Sequence, residues 1–127
     1  GAKLGMPCDL TMGRRMVSLV GPLNARMILF AGDRIPAAEA LRIGLVNKVV
    51  PQAQLKDEAS RLAHAIADNA PLALSALKRI VNASLEPVTP AIEQAIRKDV
   101  LSCAESDDYR LGRASVLKKI KPQFLGR

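Results

Sequence analysis

Residues 32–51, GDRIPAAEALRIGLVNKVVP, carry the most structural information in this sequence. Gly32 is suited to the left-handed conformation that closes a preceding helix. Pro36 has a fixed φ that fits the first turn of a new helix and lacks only an N–H that such a turn leaves unpaired. Ala37 to Arg42 are good helix formers, and Gly44 ends them. Leu45, Val46, Val49 and Val50 are too apolar and too β-branched for a solvated loop, so a short strand is expected near Lys48–Val50, before Pro51. The order is helix end, turn, short helix, glycine stop, strand.

Outward from this stretch the chain reads as helices. Met12 to Val20 forms one, Gly21-Pro22 breaks it, and Leu23 to Ala31 forms another. Gln52 to Asn69 places Leu55, Ala59, Leu62, Ala63 and Ile66 on one face, with Lys56, Asp57, Glu58 and Arg61 around the other side. Pro71 opens a helix to about Ala83, with Leu74, Leu77, Ile80 and Val81 as its apolar stripe. Thr89, Pro90 and Glu93 fit a cap, first helical position and capping-box partner. Ser106 caps the last helix, with Asp107 and Asp108 against its positive end, and that helix stops near Ile120, before Pro122. A lone strand cannot pair its own N–H and C=O groups. Lys48–Val50 therefore needs a partner strand that the rest of the chain does not offer.

Composition narrows the function classes. The 127 residues suffice for one domain, and 49% are hydrophobic, yet the only aromatics are Phe30, Tyr109 and Phe124. Ala, Leu, Ile and Val supply the apolar content, which suits close-packed helices. No run reaches the length of a membrane span, and no signal segment opens the chain. Cys8 and Cys103 have no metal-ligand spacing and read as reduced cytosolic thiols, so no metal site is expected. The net charge of +7 raises nucleic-acid binding, but the basic residues are scattered, with only Lys118–Lys121 dense, and aromatics for base stacking are absent. A phosphate-bearing ligand is a second use for that charge.

Residues 32–51 resemble the enoyl-CoA hydratase/isomerase (crotonase) family signature G-x-x-I-x-A-x-x-A-x-x-x-G-L-V-x-x-V-V-P at Gly32, Ile35, Ala37, Ala40, Gly44, Leu45, Val46, Val49, Val50 and Pro51. Three more segments agree in order and spacing. Arg15–Gly21 (RMVSLVG) resembles the family's R-L-x-R-x-V-G helix, and Ala70–Asn82 (APLALSALKRIVN) its A-P-x-A-x-x-x-x-K-x-x-x-N helix. Ser106–Arg127 (SDDYRLGRASVLKKIKPQFLGR) resembles the terminus S-x-D-x-x-x-G-x-x-A-F-x-x-K-R-x-P-x-F-x-G-R.

The resemblance implies a mostly α chain, the C-terminal helical part of a crotonase-like (ClpP/crotonase) α/β fold. Residues 1–51 would be the end of the crotonase core and 52–127 a C-terminal helical trimerisation region. It implies an acyl-CoA enzyme that hydrates or isomerises a double bond through a stabilised thioester enolate. Coenzyme A would enter as the substrate thioester, with no covalently bound cofactor. The expected partners are acyl-CoA and copies of the same chain, as a trimer or dimer of trimers, with no nucleic acid or membrane; the expected location is the cytoplasm. The two backbone N–H groups that hold the enolate oxygen lie in the family's N-terminal half, so this chain alone is expected to be inactive. Two other classes remain as alternatives: a non-catalytic helical oligomerisation module and, less favoured, a basic nucleic-acid-binding helical protein.

Two residues are site candidates by that resemblance. Matching Leu4-Gly5 to the hydratase P-E-x-x-L-G segment puts the catalytic glutamate position on Gly1, so no hydratase glutamate is present. Asp9 falls where dienoyl-CoA isomerases of the family carry a catalytic aspartate, with Leu10 and Met12 expected to supply an apolar setting. The same Asp suits the cap of the helix that starts near Thr11, which is the commoner use of Asp and the favoured reading. Lys119 matches the family lysine near the phosphates of CoA bound to a neighbouring subunit. The aromatic three residues earlier is replaced by Val116, so a stacking contact is not expected. His64, with no nucleophile or carboxylate beside it in sequence, reads as structural.

Overall fold

A computed structural model describes residues 2–127, so the position matched to the hydratase glutamate, Gly1, lies outside the described residues. The chain divides into two compact units, Gly1–Ala53 and Gln54–Arg127.

In the first unit a short 3-10 turn, Ala2–Leu4, leads into α1, Leu10–Ala31. Its start is set by Asp9, whose side chain accepts the Met12 N–H at 2.7 Å, two residues earlier than apolar periodicity suggests. Gly21 departs from helical geometry (φ 75, ψ 163) just before Pro22, which bends α1 into two arms. The Asn24 amide donates to the Val20 carbonyl at 2.9 Å and so satisfies an acceptor at the bend. Gly32 (φ 61, ψ 23) closes the helix in the left-handed conformation, its N–H on the Ile28 carbonyl. α2 spans Ala37–Arg42 and ends at Gly44 (φ 78). The Leu45 and Val46 N–H groups then turn back onto the Ala40 carbonyl. Met16, Val20, Ala25 and Ile43 form the buried core here, with Ile28 and Leu45 packed against it.

One expectation is corrected. No strand occurs among the described residues, and Lys48–Val50 runs irregularly, with Val46 and Val49 exposed. A strand is defined by its ladder, and the described residues offer no second strand to bond it. The apolar, β-branched composition is present; the partner is not.

The second unit opens with a 3-10 turn, Gln52–Gln54, whose last residue begins it. α3, Leu55–Ala67, follows, starting later than the Gln52 expected from sequence. α4 spans Pro71–Ala83, with Pro71 in its first turn where a missing N–H costs nothing. α5 spans Pro90–Glu105, and the Thr89 side chain accepts the Ile92 N–H at 3.3 Å. The Glu93 carboxylate takes Arg97 at 3.0 Å. α6, Asp107–Lys118, begins at Ser106, whose hydroxyl accepts the Tyr109 N–H at 3.1 Å. α4 packs on α5, and α5 on α6. The amphipathic stripe of α3 is not covered: the helix has no buried residue, and Leu55, Leu62 and Ile66 are all exposed.

Candidate functional site

Asp9 stands at the mouth of α1 and lies in the first unit; Lys119 lies in the second, so each is described in its own surroundings. The sequence left Asp9 two uses. The capping use is present: one carboxylate oxygen is occupied by the Met12 N–H. The apolar setting expected from Leu10 and Met12 is not, because both side chains are exposed, as is Asp9 itself. Leu10 lies off the face of α1 that carries the buried Met16 and Val20, whereas Met12 shares that face one turn earlier and is exposed there at the helix start. Close by in the chain, a groove of ≈ 340 Å³ is lined by Gly5, Met6, Pro7, Cys8, Leu29 and Phe30. It sets an apolar wall beside the loop that carries Asp9.

Lys119 ends α6 in the left-handed conformation (φ 55, ψ 40) and is the one non-glycine residue with positive φ among the described residues. The turn is a Schellman motif: the Lys119 N–H donates to the Val116 carbonyl at 3.2 Å and the Ile120 N–H to the Ser115 carbonyl at 3.0 Å. A Cβ in this region is strained by about 1–2 kcal/mol, which is why glycine usually occupies it. Lysine stands here nonetheless, with its side chain exposed and its charge at the negative end of the α6 dipole. Val116 and Leu117, one turn back, are also exposed.

The Nδ1 of His64 lies 2.7 Å from the Ser60 carbonyl oxygen, one turn back on α3. Glu39 and Arg42 form a bidentate pair on α2. The hydrogen bond from Arg42 holds the Glu39 carboxyl below its ordinary range, and Glu39 in turn raises the Arg42 guanidinium. Arg61 is raised in the same way by Glu58.

Asp108 has a role that sequence reasoning missed. It stands in the first turn of α6, as expected, but it is also 2% exposed, and its two carboxylate oxygens accept the Leu125 N–H at 2.6 Å and the Gly126 N–H at 2.8 Å. Its own N–H donates to the Arg127 carbonyl at 3.0 Å. The usable signal was Gly126, whose φ of 77 lets two successive N–H groups converge on one carboxylate.

Comparison with known proteins defines the class. The sequence model of the enoyl-CoA hydratase/isomerase family matches residues 1–127, and the chain belongs to that family. It is 37% identical over 130 residues to a carnitinyl-CoA dehydratase of Escherichia coli, covering 99% of this chain and 50% of that protein. The solved structure of an enoyl-CoA hydratase subunit I from Geobacillus kaustophilus superposes with a TM-score of 0.83 at 34% identity, over 99% of this chain and 49% of that one. An enoyl-CoA hydratase from Bacillus anthracis gives a TM-score of 0.86 at 25% identity, again over 99% and 49%. The chain thus spans about half the length of the curated relatives it matches. Its helices correspond to the C-terminal helical half of crotonase-fold structures.

Proposed function

We propose that these residues serve an enzyme that hydrates or isomerises the double bond of an acyl-CoA thioester. The observation that carries this reading is the match of the family model over residues 1–127, together with a superposition that covers 99% of the chain at 34% identity. Proton transfer beside a thioester carbonyl needs donors for the developing enolate oxygen and a placed acid or base. The helices described here carry a candidate for the second need, Asp9, and a candidate for holding the substrate's phosphates, Lys119. No covalently held cofactor enters this scheme.

The strained turn at Lys119 supports its assignment. Lysine occupies a backbone position that favours glycine, a local strain that is consistent with a use for its charge. Asp9 is supported by position alone: it would carry a proton at the far end of a conjugated acyl chain if the remainder of the enzyme covers the first turn of α1. The uncovered stripe of α3, with Leu55, Leu62 and Ile66, supports assembly into a homo-oligomer, for which a trimer is the expected form. Among the described residues no helix is long and apolar enough to cross a membrane, and a cytoplasmic location is part of the proposal. Ion pairs such as Arg42–Glu39, Arg61–Glu58, Arg79–Asp99 and Lys121–Asp68 occupy many of the basic side chains, which favours acyl-CoA over nucleic acid as the ligand.

The test is turnover. The protein with all family segments present should consume crotonyl-CoA or a dienoyl-CoA, followed by loss of the conjugated thioester absorbance. The 127-residue chain alone should not. Turnover by the chain alone, or none of either substrate by the longer protein, would overturn the proposal.

A further inference from the structure

We propose that residues 120–127 form a latch that opens and closes as one unit on the second unit of the chain, with Asp108 as its catch. The segment has no regular secondary structure after the turn at Lys119. What keeps it in place is concentrated at two points. The first is an ion pair between Lys121 and Asp68 at 2.6 Å, both side chains largely exposed, an arrangement that contributes little in water. The second is Asp108, buried, holding Leu125 and Gly126 through its carboxylate and Arg127 through its N–H. Beside it Arg127 adds a long ion pair to Asp107 at 4.0 Å, again between largely exposed side chains, so most of the directed attachment passes through Asp108.

Between these points Phe124 approaches Gly112 of α6: a methyl group built on that glycine would sit 3.5 Å from the ring. The same ring lines an apolar cavity of ≈ 520 Å³, shared with Leu72 of α4, Cys103 of α5, and Tyr109, Gly112 and Val116 of α6. Latched, Phe124 completes the wall of that cavity. Released, residues 120–127 take that wall away, and the half-buried Cys103 thiol beside it becomes more exposed. A segment held by few bonds opens at lower free energy than the packed helices, as a local event.

The test is native-state hydrogen exchange, read peptide by peptide, on the protein with all family segments present. In the unaltered protein the Leu125 and Gly126 amides should share one opening equilibrium, smaller in denaturant dependence than that of the α4 amides. Asp108→Asn keeps the size of the side chain but sets an amide against one of the two N–H groups. It should speed exchange at Leu125 and Gly126 together, on the order of 100-fold, and leave α4 unchanged. In a Cys8→Ser background the same substitution should speed thiol labelling of Cys103 by a similar factor. Equal acceleration in α4 would make Asp108 a general stability residue and overturn the proposal. So would different opening equilibria for Leu125 and Gly126 in the unaltered protein, a measurement that does not depend on the variant folding.

Discussion

Lys119→Gly and Lys119→Ala should separate what the backbone wants at position 119 from what the lysine does there. Both substitutions remove the charge and the long side chain, so they share any loss of the helix-dipole interaction, about 0.3–1 kcal/mol at an exposed helix end. They differ in the backbone. Alanine keeps a Cβ in the left-handed conformation (φ 55), which is strained by roughly 1–2 kcal/mol, whereas glycine relieves that strain. Against this, glycine adds freedom to the unfolded chain, an effect of about 0.4–1 kcal/mol. Glycine should therefore be more stable than alanine by roughly 0.5–1 kcal/mol. Equilibrium urea unfolding, followed by far-ultraviolet circular dichroism, reads the difference as a shift in midpoint at constant slope. The slope matters, because the Schellman hydrogen bonds from Lys119 and Ile120 are backbone bonds that both variants keep. In the longer, active protein both variants should weaken acyl-CoA binding equally, and the loss should shrink as salt rises, since an exposed ammonium acts on phosphate through screened charge. An alanine variant as stable as the glycine variant would refute the strain. Unequal binding losses would refute a role resting on charge alone.

Three further outcomes are expected. Asp9→Ala should destabilise α1 by about 1 kcal/mol while Asp9→Asn, itself a good cap, should not; in the active protein Asp9→Asn should nonetheless abolish dienoyl-CoA isomerisation, and retained turnover would remove Asp9 from the chemistry. Glu39 should titrate below an ordinary glutamate in a side-chain NMR titration, and Arg42→Ala should return it upward; because the folded pKa is lowered, the pair's contribution is present above the unfolded pKa and is lost as pH falls through the folded one. Ser115→Ala should leave thermal stability unchanged or slightly raised, because the Ser115 hydroxyl is buried with no hydrogen-bond partner and its removal takes away an unsatisfied group.

What could be read from the sequence was what is decided within a few residues. Gly32 closes α1, Gly44 ends α2, Pro71 and Pro90 open helices, and Thr89 and Ser106 cap them, because each effect is set by one residue's φ or one side chain's reach. The start of α1 is local as well: the cap at Asp9 marks it, although apolar periodicity begins only inside the helix, at Met12. Lys48–Val50 failed differently. Its composition is that of a strand, but strand is a property of a pair, and no composition supplies the second member. The α3 stripe repeats this point in helical form. Its period reads directly from the sequence and its exposure does not, since a face is buried only by what lies against it.

Asp9 and Asp108 divide along the same line. Asp9 was legible as a cap because its partner, Met12, is three residues away, and its supposed apolar setting was illegible because that depends on what packs over α1. Asp108 is the reverse case. Its partners lie seventeen and eighteen residues further on, so its sequence neighbours pointed to the α6 dipole, an interaction that water and salt weaken. The fold instead buries the carboxylate and gives it two N–H donors, because leaving such a charge buried without them would be far more costly. A buried acid in a first helical turn is therefore better matched with distant glycine-containing backbone than with its own helix. In this chain the glycine is Gly126, in the terminal F-x-G-R element that the family resemblance singled out and that capping and periodicity alone left without a purpose.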